Sequence, residues 1–280
     1  MSGTLAQALQ HGLSLGLPRL EVQMLLLLAV QQDPANRAWL LAHDQDRLSA
    51  DSAARYEALL QRRCDGEPLA YLRGSKEFFG LSLQVDARVL DPRDDTETLV
   101  EWALNCLEAM RQPSPQVLDL GTGSGAIALA LQAQRPQAQV WAVDASEAAL
   151  AVAQDNAQRL ALPIRCVHSH WFDALAGQRF DLVVSNPPYI AENDPHLPAL
   201  RHEPLSALVS GRDGLDDIRA LVRAAPQHLQ AQGWLLLEHG HDQAQAVRAL
   251  LSQAGFAGVQ SRCDLAGIER CSGGYWPGVK

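Results

Sequence analysis

Val117-Leu118-Asp119-Leu120-Gly121-Thr122-Gly123-Ser124-Gly125 is a short apolar run that breaks into a glycine-rich turn, and Ala126 to Ala133 beyond it has helical spacing. The apolar run, bounded by a turn signal, predicts a buried strand. Glycines permit unusual backbone angles and let the main chain approach a ligand closely. The next apolar run, Val140-Trp141-Ala142-Val143, ends at Asp144. A strand, a glycine turn, a helix and then an acid at the end of the next strand form a nucleotide-binding unit, in which the acid hydrogen-bonds both ribose hydroxyls. The spacing Asp119-x-Gly121-x-Gly123-x-Gly125 departs from the GxGxxG of dinucleotide enzymes. It suits a nucleoside ligand without a pyrophosphate, and S-adenosyl-L-methionine is the expected cofactor. Gly121, Thr122, Gly123, Ser124, Gly125 and Asp144 are its candidate binding residues.

The pattern continues outward from this unit. A helix is expected over Glu147 to Leu160, a third strand at Ile164-Arg165-Cys166-Val167 and a fourth at Asp181 to Ser185. A helix from Asp216 to Leu229, a strand from Gly233 to Glu238, a helix from Gln243 to Ala254 and a last pair of strands near Gly258 and Tyr275 complete the set. Strands alternating with helices imply an α/β fold, a mostly parallel sheet covered on both faces. His168-Ser169-His170-Trp171-Phe172-Asp173 follows the third strand, at the edge that borders an adenine in this topology. Trp171 either covers that ring or belongs to the core.

The fourth strand runs into Asn186-Pro187-Pro188-Tyr189. Proline cannot donate to a sheet ladder, and the residue before each proline is pushed out of the helical region. A short stiff turn results, at the strand end where open α/β sheets place ligands. An amide or aromatic amine acceptor has its nitrogen lone pair delocalised into a π-system. Two fixed acceptors, the Asn186 side-chain oxygen and the Pro187 carbonyl, can hold its N–H groups so that the lone pair faces a methyl donor. Tyr189 can stack on the flat group.

Residues 1 to 75 show almost no strand signal. Helices are expected over Thr4 to Leu15, from Pro18 to a stop near Asp33-Pro34, over Asn36 to His43 and over Ser52 to Cys64. This small all-helical module is either a structural cap or a docking domain. A two-stranded ribbon is expected from Phe78 to Val85 and Ala87 to Leu90, then a helix from Thr96 to Met110, with Pro113 and Pro115 closing the linker. The expected domains are thus 1–75, 76–115 and 116–280.

Bulk properties narrow the function. The net charge of −9 speaks against a protein that lives on phosphate contacts. Five widely spaced cysteines, with no CxxC pair, fit reduced thiols and argue against zinc. No basic-then-apolar leader is evident, and the apolar run Met24 to Val30 is too short to span a bilayer. A cytoplasmic, monomeric protein with no metal and no membrane partner is expected.

The glycine loop, Asp144, Trp171 and Asn186-Pro187-Pro188-Tyr189, behind a helical N-terminal module, resemble the PrmC/HemK family of release factor glutamine methyltransferases. The resemblance extends to Asp94-Asp95-Thr96-Glu97, Asp194-Pro195-His196-Leu197 and Leu235-Leu236-Leu237-Glu238-His239-Gly240. It implies a Rossmann-like S-adenosylmethionine-dependent methyltransferase sheet, a small helical N-terminal domain and a connecting β-hairpin. It also implies methylation of the side-chain amide nitrogen of glutamine in the Gly-Gly-Gln motif of peptide-chain release factors, by in-line displacement. Gly121 to Gly125, Asp144 and Trp171 would hold the cofactor, with Asn186 beside it. Asn186 and Pro187 would hold the substrate amide, Pro188 and Tyr189 would shape its slot, and the helical module would help dock the release factor. The chain departs from the family pattern at Asp94, where a proline is common, at His170, where an acid is common, and in the loop Ala199 to Pro204, which looks shortened. The rival readings are a glutamine methyltransferase for a ribosomal protein, a nucleic-acid amino-methyltransferase that flips its base into the same slot, and a non-catalytic translation-associated binding module.

Overall fold

The computed structural model describes residues 3–110 and 112–278, which divide into two compact units, Met1–Gly74 and Ser75–Lys280. Among the described residues the first contains five helices: α1 (Leu5–Ser14), α2 (Arg19–Ala29), α3 (Arg37–Ala42), α4 (Ala50–Cys64) and α5 (Leu69–Arg73). Three of their starts are written in the sequence as capping side chains. Thr4 and Gln7 form a reciprocal capping box on α1, Asn36 caps α3 and Ser49 caps α4. Helix α4 therefore begins before Ser52, whose hydroxyl accepts a hydrogen bond from Ser49. The α2 residues Leu25, Leu26 and Leu27 are fully buried in the unit's own core, with Tyr56 and Leu60 from α4. Gly12 allows this approach, because a Cβ there would lie 2.4 Å from the Tyr56 hydroxyl oxygen.

The second unit opens with a hairpin, β1 (Ser75–Phe78) and β2 (Leu81–Gln84). Its turn is Phe79-Gly80, both at positive φ, so the ribbon lies earlier than the sequence suggested, and Ala87 to Leu90 is not a strand. The buried Asn156 accepts from Gln84 N–H and donates to the carbonyls of Gln84 and Ser124, tying the ribbon to the glycine loop. A single 3-10 turn, Asp94–Thr96, leads into α6 (Glu97–Met110). Asp94, standing where the family pattern has proline, accepts a hydrogen bond from Lys76 at 2.8 Å. The linker expected over 76–115 is thus part of the second unit.

Beyond it come β3 (Gln116–Leu120), α7 (Ala126–Gln134), β4 (Gln139–Asp144), α8 (Glu147–Leu160), β5 (Arg165–His168) and β6 (Phe180–Ser185). Then follow α9 (Asp216–His228), β7 (Leu229–Glu238), α10 (Ala244–Gln253), β8 (Ala257–Cys263) and β9 (Glu269–Tyr275). The sheet order is β5-β4-β3-β6-β7-β9-β8, parallel from β5 to β7, with β9 antiparallel to both its neighbours. Alternate strand residues such as Leu118, Leu120, Val183 and Leu235 pack under α9 and α10, and α6, α7 and α8 also pack against the sheet. Every residue of β6 is buried, as expected of a central parallel strand. Strands β3 and β6 are separated in the chain by β4 and β5 yet adjacent in the sheet, with Leu120 paired to Ser185. The Ser185 hydroxyl donates to the Leu120 carbonyl at 2.6 Å, holding the two strand ends together. That boundary is the crevice where open α/β sheets bind ligands.

Candidate active site

A cleft of about 360 Å³ opens over this crevice. Its walls include Gly121 and Gly123 after β3, Asp144 at the end of β4, His170 and Trp171 after β5, and Asn186 and Pro188 after β6. Pro204, Ser206 and Ala207 close another side.

The glycine loop divides into exposed and committed residues. Gly121 and Gly123 are partly exposed on the cleft wall, whereas Thr122, Ser124 and Gly125 are buried away from it. The Thr122 hydroxyl donates to Asp119 at 2.6 Å, the Ser124 carbonyl accepts from Asn156, and Gly125 starts α7 in the left-handed region. Of the five loop residues expected to bind cofactor, the structure brings two to the cavity, because the other three hold the loop to the fold. Asp119 is fully buried, and desolvation pushes its carboxyl up to about 7. Asp144 accepts from the N–H groups of Gly123 and Ser146, both at 2.9 Å. Desolvation raises its pKa, and the backbone N–H groups oppose that shift. Four acceptor positions on a carboxylate leave room for further donors.

Trp171 belongs partly to the core and partly to the cleft wall. A Cβ on Gly121 would lie 3.4 Å from its ring. Its indole N–H donates to Asp217 at 3.1 Å, and the Ser210 hydroxyl donates to the other Asp217 oxygen at 2.7 Å. His170 beside it is exposed, 3.8 Å from Asp173.

Asn186 stands between two cavities. It lines the cleft just described and also a second of about 290 Å³, whose walls are largely apolar: Leu90, Tyr189, Ile190, Leu200 and Leu208, with Arg93. The Asn186 side-chain N–H donates to Thr96 Oγ1 at 3.2 Å. Pro187 is buried beneath the turn and lines neither cavity. The Tyr189 hydroxyl donates to Glu238 at 3.4 Å, while its carbonyl accepts from Gln243 at 3.0 Å. Burial, and secondarily the Glu238 charge, raise the Tyr189 pKa, so the phenol stays protonated. Glu203, buried, accepts from Asp91 N–H at 3.1 Å and from Arg93 at 2.5 Å, fastening the 197–208 loop over this cavity.

Sequence reasoning gave Asp217 no role, and it noted Glu203 only as part of the loop Ala199 to Pro204 that looks shortened. Thr96 and Glu238 were visible as ends of an expected helix and strand and in stretches shared with a family, with nothing to say what they touch. No helix among the described residues is long and apolar enough to cross a membrane.

Comparison with known proteins agrees with this architecture. Residues 5–74 match the PrmC N-terminal domain, and residues 100–202 match the Methyltransferase small domain. The release factor glutamine methyltransferase of Bordetella pertussis is 52% identical over 93% of this chain and 96% of its own. That of Burkholderia pseudomallei is 50% identical over 87% and 88%. Among solved structures, a methyltransferase from Pyrococcus furiosus superposes with a TM-score of 0.55 at 18% identity, over 78% of this chain and 99% of its own, which shows the methyltransferase fold. With half its residues identical to those of curated relatives across nearly their whole length, the chain belongs to the release factor glutamine methyltransferase family.

Proposed function

We propose that this chain transfers a methyl group from S-adenosyl-L-methionine to the side-chain amide nitrogen of the glutamine in the Gly-Gly-Gln motif of peptide-chain release factors. The observation that carries the reading is Asn186, shared by the wall of the Gly121–Gly123–Asp144 cleft and by that of the apolar cavity beside it. Donor and acceptor then meet at one side chain. The names of the relatives support glutamine as the acceptor.

S-adenosylmethionine fits the larger cleft by the chemistry of its walls. A Cβ on Gly123 would meet nothing within 4 Å, so the backbone is open to a ligand there. Asp144 retains acceptor capacity for ribose hydroxyls, and the Trp171 ring offers a flat face for adenine. When bound, S-adenosylmethionine supplies an electrophilic methyl group on a sulfonium centre. The protein's own part is positioning. The Asn186 side-chain oxygen accepts an N–H bond of a primary amide and so helps aim its lone pair, while Pro187, expected to offer a second acceptor, is buried beneath the turn and stiffens it. Pro188 and Tyr189 bound the slot, and the apolar walls around Leu200 and Leu208 exclude water. An amide nitrogen is a weak nucleophile, and fixed orientation is the lever available to raise its rate.

The helical unit is the docking element for the release factor, the ribbon and α6 form the connection, and residues from 116 onward carry the chemistry. The chain is read as a monomer, and a translation factor as substrate suits the cytoplasm.

The test is incubation with labelled cofactor and, in separate arms, a release factor, its Gln→Ala variant, ribosomal subunits and DNA. Label in the release factor, lost in the Gln→Ala variant, is expected. Label in DNA or ribosomal subunits instead, or in no arm, overturns the proposal.

A further inference from the structure

An indole ring serves as a wall for a flat ligand only if its tilt is fixed, and the Trp171 ring is fixed at two edges. Its benzo edge, Cζ3 and Cη2, lies over Gly121, where an added Cβ would come within 3.4 Å. At the pyrrole edge its Nε1–H donates to Asp217 Oδ1 at 3.1 Å. Trp171 also has φ +47, in the left-handed region that bulky side chains avoid. Such a backbone persists where its surroundings over-determine it, and residues of this kind gather at ligand sites. Turn bonds around it hold it there. Asp173 N–H donates to the His170 carbonyl at 3.1 Å, and Ala174 N–H donates to Ser169 Oγ at 2.9 Å.

Asp217 is itself held. Its Oδ2 accepts from the Ser210 hydroxyl at 2.7 Å, and its own backbone N–H donates to Ser210 Oγ at 2.8 Å. That N–H is one of the donors that the first turn of a helix leaves without an intrahelical partner. Leu215 gives α9 no side-chain cap, so Ser210 supplies one from a distance. Ser210 is buried, and its N–H donates to the Ile190 carbonyl at 2.9 Å, one residue beyond the acceptor turn. The indole is thus referred through Asp217 and Ser210 to the end of β6. Asp217 also lines the larger cleft.

We propose that Asp217 is a positioning residue for S-adenosylmethionine, setting the tilt of the Trp171 ring against which the adenine lies. This rests on the cofactor reading given above. Without the Asp217 acceptor the ring keeps its contact with Gly121 and the core, but its pyrrole edge is released. It then pivots about the benzo edge, and the face offered to adenine has no set direction.

The experiment titrates S-adenosylmethionine and 5′-methylthioadenosine, which keeps the adenine and ribose but lacks the amino-acid arm, into wild type, D217A, D217N, W171F and the double variant W171F/D217A. D217A is expected to raise Kd about 10-fold for both ligands, the scale of a hydrogen bond to a charged group. D217N, whose amide oxygen can still accept from the indole, recovers most of that loss. In the W171F background D217A adds no more than about a twofold change, because the two side chains act as one unit. A second measurement needs no ligand. The Trp171 indole proton, identified by its absence in W171F, resonates downfield and exchanges slowly in the wild type, and moves upfield and exchanges fast in D217A. Additive losses in the double variant, a loss confined to S-adenosylmethionine, no recovery in D217N, or an unmoved indole proton in D217A overturns the inference. If D217A does not fold, D217N decides, since a neutral acceptor in place of a charged one must still shift the indole proton. A wild type that binds neither ligand refutes the cofactor reading instead, and the indole resonance still tests the geometry.

Discussion

The two loop glycines Gly123 and Gly125 have the same kind of backbone and different surroundings, and alanine at each should have different effects. Both occupy the left-handed region, at φ +55 and +83. A non-glycine residue there costs about 1–2 kcal/mol. At Gly123 that is the whole stability cost, because a Cβ would meet nothing within 4 Å. At Gly125 the Cβ would lie 3.0 Å from Leu129 Cδ1 and 3.3 Å from the Ala153 Cβ, between α7 and α8. Overpacking of a core contact adds about 1–3 kcal/mol, so Gly125→Ala should lose roughly 2–5 kcal/mol in total. The order reverses for ligand binding. Gly123 is on the cleft wall and Gly125 is buried away from it. Gly123→Ala should therefore weaken S-adenosylmethionine binding at least about tenfold, or 1.4 kcal/mol, as a methyl group enters its space. Gly125→Ala should bind nearly normally wherever it is still folded. Urea unfolding gives the stabilities and calorimetric titration gives the affinities. Equal stability losses in the two variants would refute the packing argument, and an unchanged affinity in Gly123→Ala would refute the placement of the ligand.

Asn186→Ala should lower transfer by about 100-fold or more while cofactor binding stays measurable, and wild-type turnover would remove Asn186 from the acceptor role. Asp144→Ala removes the acceptor of Gly123 N–H as well as the proposed ribose contact, so cofactor Kd should rise by about 10–100-fold, on the scale of a charged hydrogen bond; calorimetry showing no change would reject the assignment. Glu238 carries a raised pKa, so its contribution to stability is full below about 4.5, falls as pH rises, and is lost above about 7. Glu238→Gln removes that titration, and its stability relative to wild type should improve between acid and alkaline pH by at most about 3 kcal/mol. A pH-independent difference in urea unfolding would show that Glu238 is not desolvated as described.

The strand-and-loop frame was legible because each signal is local. The glycine turn, the acid closing β4 and the prolines closing β6 act within a few residues of themselves. What escaped was of two kinds. Some turns use residues that do not advertise them: Phe79 at φ +48 begins the hairpin turn, and α9 runs through Pro226 directly into β7, four residues before the expected strand start at Gly233. The rest are partnerships across the chain. Thr96 meets Asn186 over 90 residues, Trp171 meets Asp217 over 46, and Arg93 meets Glu203 over 110. No spacing rule reaches that far. The same limit explains the loop residues. Thr122, Ser124 and Gly125 sit within the motif, and only the folded neighbours Asp119, Asn156 and Ala153 show that they serve the loop and not the cleft wall.

The pairing of Leu120 with Ser185 sets a scale for the proposed reaction. The glycine loop and the acceptor turn leave the sheet from facing positions on neighbouring strands, so their separation begins as one strand spacing, about 4.8 Å. A shift of one residue in that register would displace one loop against the other by about 3.3 Å, as much as the whole approach distance of two reacting atoms. The sheet is therefore the gauge to which the reaction is cut. An insertion or deletion within β3 or β6 would put the two halves of the site out of reach of each other.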